Sequence, residues 1–119
     1  MNKKELQKRT KKFNIAIIKI CEKFPPNAAG FEIAKQLIRS AGSVGANSRA
    51  TGRAKSYADF VNKLTIVLEE ADESLYWLEV IKEAEILNTP ELDLLIKEAE
   101  ELTAIFTSAE KTARMKTKL

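Results

Sequence analysis

Apolar residues return every three or four positions along most of this chain, and the pattern breaks only at Pro25-Pro26-Asn27, around Gly52, and at Leu87-Asn88-Thr89-Pro90. That spacing is the period of a helix with one buried face; strands, whose side chains alternate, cannot use it. In the first stretch, about 3–23, Leu6, Phe13, Ile17, Ile20 and Phe24 form the stripe, with Cys21 beside it. Neither of the prolines that follow can donate a helical hydrogen bond, so the helix stops there. The second stretch, about 30–53, turns Phe31, Ala34, Leu37, Ile38, Ala41, Val44 and Ser48 inward. The third, about 56–87, opens on Ser56 with Asp59 three residues on, a capping-box pattern. Tyr57, Phe60, Val61, Leu64, Val67, Leu68, Ala71, Leu75 and Leu78 form its stripe. The fourth, about 90–113, starts with Thr89 as cap and Pro90 in the first turn. It continues through Leu92, Leu95, Ile96, Ala99, Leu102, Phe106 and Ala109, and the basic segment after Ala113 is expected to fray. Four amphipathic helices with short connections predict an all-α, antiparallel up-down four-helix bundle, and 119 residues suit one domain.

Composition narrows the chemistry. The chain has no histidine and a single cysteine. Ser-His and Cys-His nucleophilic sites, imidazole-ligated zinc and Glu-x-x-His di-iron sites are therefore excluded. Cys21, on an apolar stripe, reads as a core cysteine, and a lone cysteine fits a reducing compartment. Ile15-Ala16-Ile17-Ile18 is cut short by Lys19, so the start of the chain reads as neither a signal peptide nor a membrane span. The expectation is a cytoplasmic protein with no cofactor and no catalytic activity.

The residues the core does not need carry the rest. Residues 1–60 hold 13 Lys and Arg against 4 Asp and Glu, while residues 61–119 hold 7 against 13. At about 100° per residue, the first helix sets Lys4, Lys8, Lys11, Lys12, Lys19 and Lys23 opposite its stripe, with Ile15 and Ile18 among them. On the second helix Lys35, Arg39, Arg49 and Arg53 share one side, with Gly42 and Ala46 between them. Small residues there let another backbone approach closely, and arginine forks suit phosphate and carboxylate equally well. The third helix carries Glu69, Asp72, Glu73, Glu79 and Glu83 off its stripe, together with Ile66, Trp77 and Val80. Pairs such as Glu69-x-x-Asp72 and Glu70-x-x-Glu73 have the spacing of metal or acid–base carboxylates, but helix-surface charge is the ordinary explanation.

Three segments resemble a known bacterial family. They are Arg39-Ser40-Ala41-Gly42-Ser43-Val44-Gly45-Ala46-Asn47-Ser48-Arg49, then Lys55-Ser56-Tyr57-Ala58-Asp59-Phe60, then Leu68-Glu69-Glu70-Ala71-Asp72-Glu73-Ser74-Leu75-Tyr76-Trp77-Leu78-Glu79. The family is the four-helix-bundle group encoded in intervening sequences of 23S rRNA. The resemblance implies assembly as a homopentamer and kinship with accessory proteins of diversity-generating retroelements, which pair with a reverse transcriptase and bind nucleic acid through basic surfaces. It carries over Arg39, Ser43, Asn47, Arg49, Asp59, Glu73 and Trp77 by position. The acidic residue usual after the second arginine is Ala50 here. Ser43 and Asn47 read more simply as hydrogen-bonding neighbouring backbone than as a ligand site.

Two functional readings follow. In the first, the protein is an oligomeric accessory or scaffold that binds RNA or DNA without sequence specificity. Lys4, Lys8, Lys11, Lys12, Lys35, Arg39, Arg49 and Arg53 would meet phosphates, and Ile15, Ile18, Ile66, Trp77 and Val80 would meet neighbouring copies. In the alternative, it is a structural or protein-interaction homo-oligomer with no nucleic-acid role, its arginines paired with carboxylates across subunits.

Overall fold

Side-chain caps set all four helix starts in the computed structural model, which describes residues 1–117, Thr89 Oγ1 accepting from the Leu92 N–H at 3.4 Å ahead of the last. The first helix, α1, runs Lys3–Cys21, and the Asn2 Oδ1 accepts from the Glu5 N–H at 2.8 Å. The second, α2, runs Ala28–Ala50. It begins before the predicted position because Asn27 caps it, accepting from the Gly30 N–H at 2.9 Å. A short 3-10 turn, Thr51–Arg53, follows. The third helix, α3, spans Tyr57–Glu83 and is capped by Ser56, whose Oγ accepts from the Asp59 N–H at 3.1 Å. Asp59 reaches back to the N–H of Lys55, one residue further out than a standard capping box. The fourth, α4, spans Pro90–Thr117 after Thr89.

Two helix ends differ from expectation. The α3 helix stops at Glu83 rather than near Leu87. Glu85 takes a left-handed conformation, φ 57°, while Ile86 N–H bonds Ile81 O and Glu85 N–H bonds Lys82 O. That is a Schellman ending with glutamate where glycine is usual, so no glycine marks it in the sequence. The α4 helix does not stop at Ala113 but continues to Thr117, and residues 118–119 of the basic tail lie outside the described residues. Ala113 is buried, and its carbonyl accepts from the Tyr57 hydroxyl at 3.1 Å. Arg114 reaches Thr65 on α3 at 2.9 Å.

The four helices form an antiparallel bundle measuring 50 × 22 × 20 Å. Neighbouring pairs α1/α2, α2/α3 and α3/α4 pack along their lengths, whereas α1 and α4, also neighbours, meet over a smaller area. Phe13, Ile17, Leu37, Val44, Val67, Leu78, Leu92, Leu102 and Phe106 make the centre of the core. Three residues expected inside are not: Phe31 is 63% exposed, Tyr57 44% and Ile38 39%. Phe31 and Ile38 lie about 100–120° around α2 from Leu37, and seven residues apart they share one outward line. Cys21 is half-buried against the core rather than enclosed by it. In their place small hydroxyls are buried. Ser40 and Ser74 meet at 2.9 Å where α2 and α3 cross, and Ser74 also donates to Glu70 O. Thr10 is wholly buried, its hydroxyl bonding Leu6 O at 2.9 Å.

Glycine substitutions separate tight contact from open space. A Cβ on Gly30 would stand 2.1 Å from Pro25 O, so Gly30→Ala is expected to destabilise by about 1–3 kcal/mol. A Cβ on Gly42 would meet only Asn14 Oδ1 at 4.0 Å, so Gly42→Ala is expected to stabilise by up to about 1 kcal/mol through helix propensity. Urea unfolding followed by circular dichroism checks both.

Candidate nucleic-acid interface

The α1/α2 seam brings four of the predicted phosphate-binding residues together. Lys4, Lys8 and Lys11 from α1 and Arg49 from α2 line one open groove of about 570 Å³. Its remaining lining is Gln7, Asn14, Gly42, Gly45 and Ala46, so small residues keep the wall of α2 low. At Gly45 the two helices run close, and a Cβ there would just touch Thr10 O at 3.5 Å. The cations repeat along α1 at three- and four-residue steps, which stacks them on one face. Among the described residues none of the four makes an ion pair. The Asn14 Oδ1 is buried beside them with no hydrogen-bond partner.

The other predicted cations go elsewhere. Arg39 turns towards α3, where it bonds Glu70 at 3.1 Å and also Glu73. These carboxylates hold the Arg39 pKa above its ordinary value, the Glu73 hydrogen bond contributing most. The two glutamates read as a possible metal or acid–base pair are thus an arginine clamp. Among the described residues no cluster of ligating side chains could hold a metal ion. Lys12 lines a second groove, between α1 and α4, with Lys19 and Ile20. Lys35 and Arg53 are exposed and make no ion pair among the described residues.

The motif residues mostly explain themselves within the chain. Glu73 accepts from both Arg39 and the Trp77 indole N–H, the latter at 3.2 Å. Arg39, Ser40, Glu70, Glu73, Ser74 and Trp77 therefore form one clasp between α2 and α3. Asn47 Nδ2 donates to Ser43 O and lies 3.0 Å from Ser43 Oγ, all within α2. Asp59 accepts from Lys63 Nζ at 2.7 Å and from the Lys55 N–H at 3.0 Å. Among the described residues, only Arg49 of the charged motif residues lacks such an internal partner.

The apolar candidates are mixed. Ile15 (45% exposed), Ile18 and Ile66 face outward. Trp77 is half-buried and packs against the core, with Tyr76 edge-on at 5.0 Å. Val80 is half-buried in a shallow acidic depression with Glu79 and Glu83. Cys21 faces little solvent, and burial pushes its thiol up to about 11, well away from a reactive thiolate.

Sequence reasoning missed the bidentate pair between Arg9 and Glu98, at 2.6 and 2.7 Å, which ties α1 to α4. It also missed the basic end of the bundle. The start of α1, the α2–α3 connection and the end of α4 converge there, so Lys3, Arg53, Lys55, Arg114 and Lys116 gather from both halves of the chain. Counting charge by halves hid this, because Arg114 and Lys116 belong to the acidic half.

Fold and surface together define a helical-bundle protein with a basic groove at one end. Among the described residues no helix is long and apolar enough to cross a membrane. The chain belongs to the 23S rRNA-intervening sequence protein family, whose profile matches residues 2–108. A crystal structure of a protein of unknown function from the S23 ribosomal protein family of Bacteroides thetaiotaomicron superposes with a TM-score of 0.83. It is 31% identical, and the alignment covers 93% of this chain and 99% of that one. No curated protein matches the sequence.

Asp59 offers a test of the motif's structural role. Lys63 first, and then the Lys55 N–H, hold its carboxyl below the ordinary value of 3.8. A depressed folded pKa gives stability that is present above the unfolded pKa and lost as pH falls through the folded one. Asp59→Asn is therefore expected to destabilise at neutral pH, with the difference from wild type vanishing below the ordinary carboxylate range. Thermal melts across acid pH check this.

Proposed function

We propose that this chain is a non-enzymatic subunit of a homo-oligomer that binds RNA or DNA through the phosphate backbone. The observation that carries the reading is the α1/α2 groove, where Lys4, Lys8, Lys11 and Arg49 line one open channel walled by small residues. Cations that hold no carboxylate release counterions when they meet phosphate, and that release supplies affinity without sequence preference. Gly42 and Ala46 leave room for a sugar–phosphate chain to lie close to α2. Outward Ile15 and Ile18 continue the same face of α1 and support self-association, pentameric as the family resemblance suggests. A reverse transcriptase is the protein partner that resemblance offers. The purely structural alternative is favoured by one observation, that Arg39 is held by carboxylates of its own chain.

Fluorescence anisotropy with labelled RNA and DNA across a salt series tests the groove. Four phosphate contacts per chain predict a slope of log affinity on log salt of roughly −3 to −4. Lys8→Gln and Arg49→Gln are each expected to weaken binding to all sequences alike and to reduce that slope by about one. Arg39→Gln is expected to lower stability and leave the slope unchanged. Absence of binding by the wild type at low salt overturns the reading. Native mass spectrometry of Ile15→Glu/Ile18→Glu reports on assembly, with dissociation to smaller species expected.

A further inference from the structure

The basic end of the bundle carries a cavity that the groove does not use. It measures about 380 Å³, within the range of about 300–1,000 Å³ typical of ligand sites. Tyr57, Phe60, Leu64 and Phe106 contribute to its lining, together with the exposed Lys3 and Lys116. Tyr57 and Phe60 stand with ring centroids 5.7 Å apart and planes inclined by 40°. Tyr57 is anchored by its hydroxyl on Ala113 O at 3.1 Å, yet remains 44% exposed. Its ring is therefore both rigid and accessible. The Lys3 Nζ sits 4.5 Å from the Phe60 centroid.

Cavity and groove are separate but neighbouring, each lined from the start of α1 and the end of α2. Lys3 lines the cavity and Lys4 the groove; Ser48 and Thr51 line the cavity and Arg49 the groove. A polyanion that ran on from the groove past the start of α1 would meet the aromatic pair. A duplex presents only its backbone there, because its bases are stacked inside. A single strand presents phosphates and unpaired bases together, and aromatic rings beside a basic track are how proteins hold such strands.

We propose that Tyr57 and Phe60 form a stacking platform for an unpaired base, and that the ligand of this surface is single-stranded nucleic acid. This rests on the groove reading above. The base enters the cavity against the Tyr57 ring, Lys3 shifts from the Phe60 ring to the adjoining phosphate, and the strand continues along Lys4, Lys8, Lys11 and Arg49.

The test uses the full chain and a short unstructured strand carrying 2-aminopurine, in RNA and DNA forms, beside a DNA duplex of the same sequence. The wild type is expected to change 2-aminopurine fluorescence and to bind the single strands more tightly than the duplex. The RNA and DNA arms identify the preferred sugar. Tyr57→Leu is expected to weaken single-strand binding about tenfold and leave duplex binding unchanged. Tyr57→Phe, which keeps the ring, is expected to bind single strands as the wild type does. Binding without any change in 2-aminopurine fluorescence, or equal affinity for strand and duplex, overturns the platform while the groove stands. The wild-type fluorescence decides this even where Tyr57→Leu loses helix content. Absence of all binding at low salt removes groove and platform together.

Discussion

Everything in this bundle depends on how closely α1 and α3 can approach α2. Residues 40–48 of α2 are almost all small: Ser40, Ala41, Gly42, Ser43, Gly45, Ala46 and Ser48. On the α3 side Ser74 donates to Glu70 O on its own helix and accepts from the Ser40 hydroxyl, so the crossing is tight without leaving an unpaired hydroxyl. On the α1 side Gly45 faces the α1 backbone at Thr10 with room for a Cβ in ordinary contact, at 3.5 Å from Thr10 O. Larger side chains at either place would hold the helices apart and uncover Phe13, Ile17, Val44 and Val67, the middle of the core. The same shortness at Gly42 and Ala46, turned outward, leaves the groove open. One run of small residues thus serves packing on one side and access on the other.

Helical periodicity made the fold legible, because burial of an amphipathic stripe is what most helix stability depends on. It was less reliable about which apolar residues go inside. Phe31 and Ile38 are as apolar as Leu37, and only the position of neighbouring helices separates them. The buried hydroxyls of Thr10, Ser40 and Ser74 were illegible for the opposite reason: a polar side chain that satisfies itself on its own helix carries no hydrophobic signal. The end of α3 was hidden because Glu85 occupies a left-handed position without the glycine that would announce it.

The site shows the same limit in terms of charge. Arg39 and Arg49 look equivalent in sequence, yet ten residues place them about 80° apart around the helix axis. That rotation sends Arg39 towards Glu70 and Glu73 on α3, where its charge is neutralised. It sends Arg49 towards the lysines of α1, where its charge adds to theirs. Net charge of +3 for the whole chain says nothing of this division. A field strong enough to matter for a polyanion arises only where cations collect without carboxylates.

Arrangement in an assembly would decide how far that field extends. The basic end and the outward isoleucines lie at different heights of a molecule 50 Å long, so contacts through Ile15 and Ile18 leave Lys3, Lys4 and Lys116 uncovered. In a cyclic ring all copies point the same way, and their basic ends collect on one rim. Gathering like charges there costs assembly energy that a bound polyanion offsets. By linkage, whatever binds the rim more tightly than the separate subunits also favours the ring. In such an assembly oligomer size and nucleic-acid occupancy would be two readings of one equilibrium, and a salt concentration that weakened binding would also loosen that coupling.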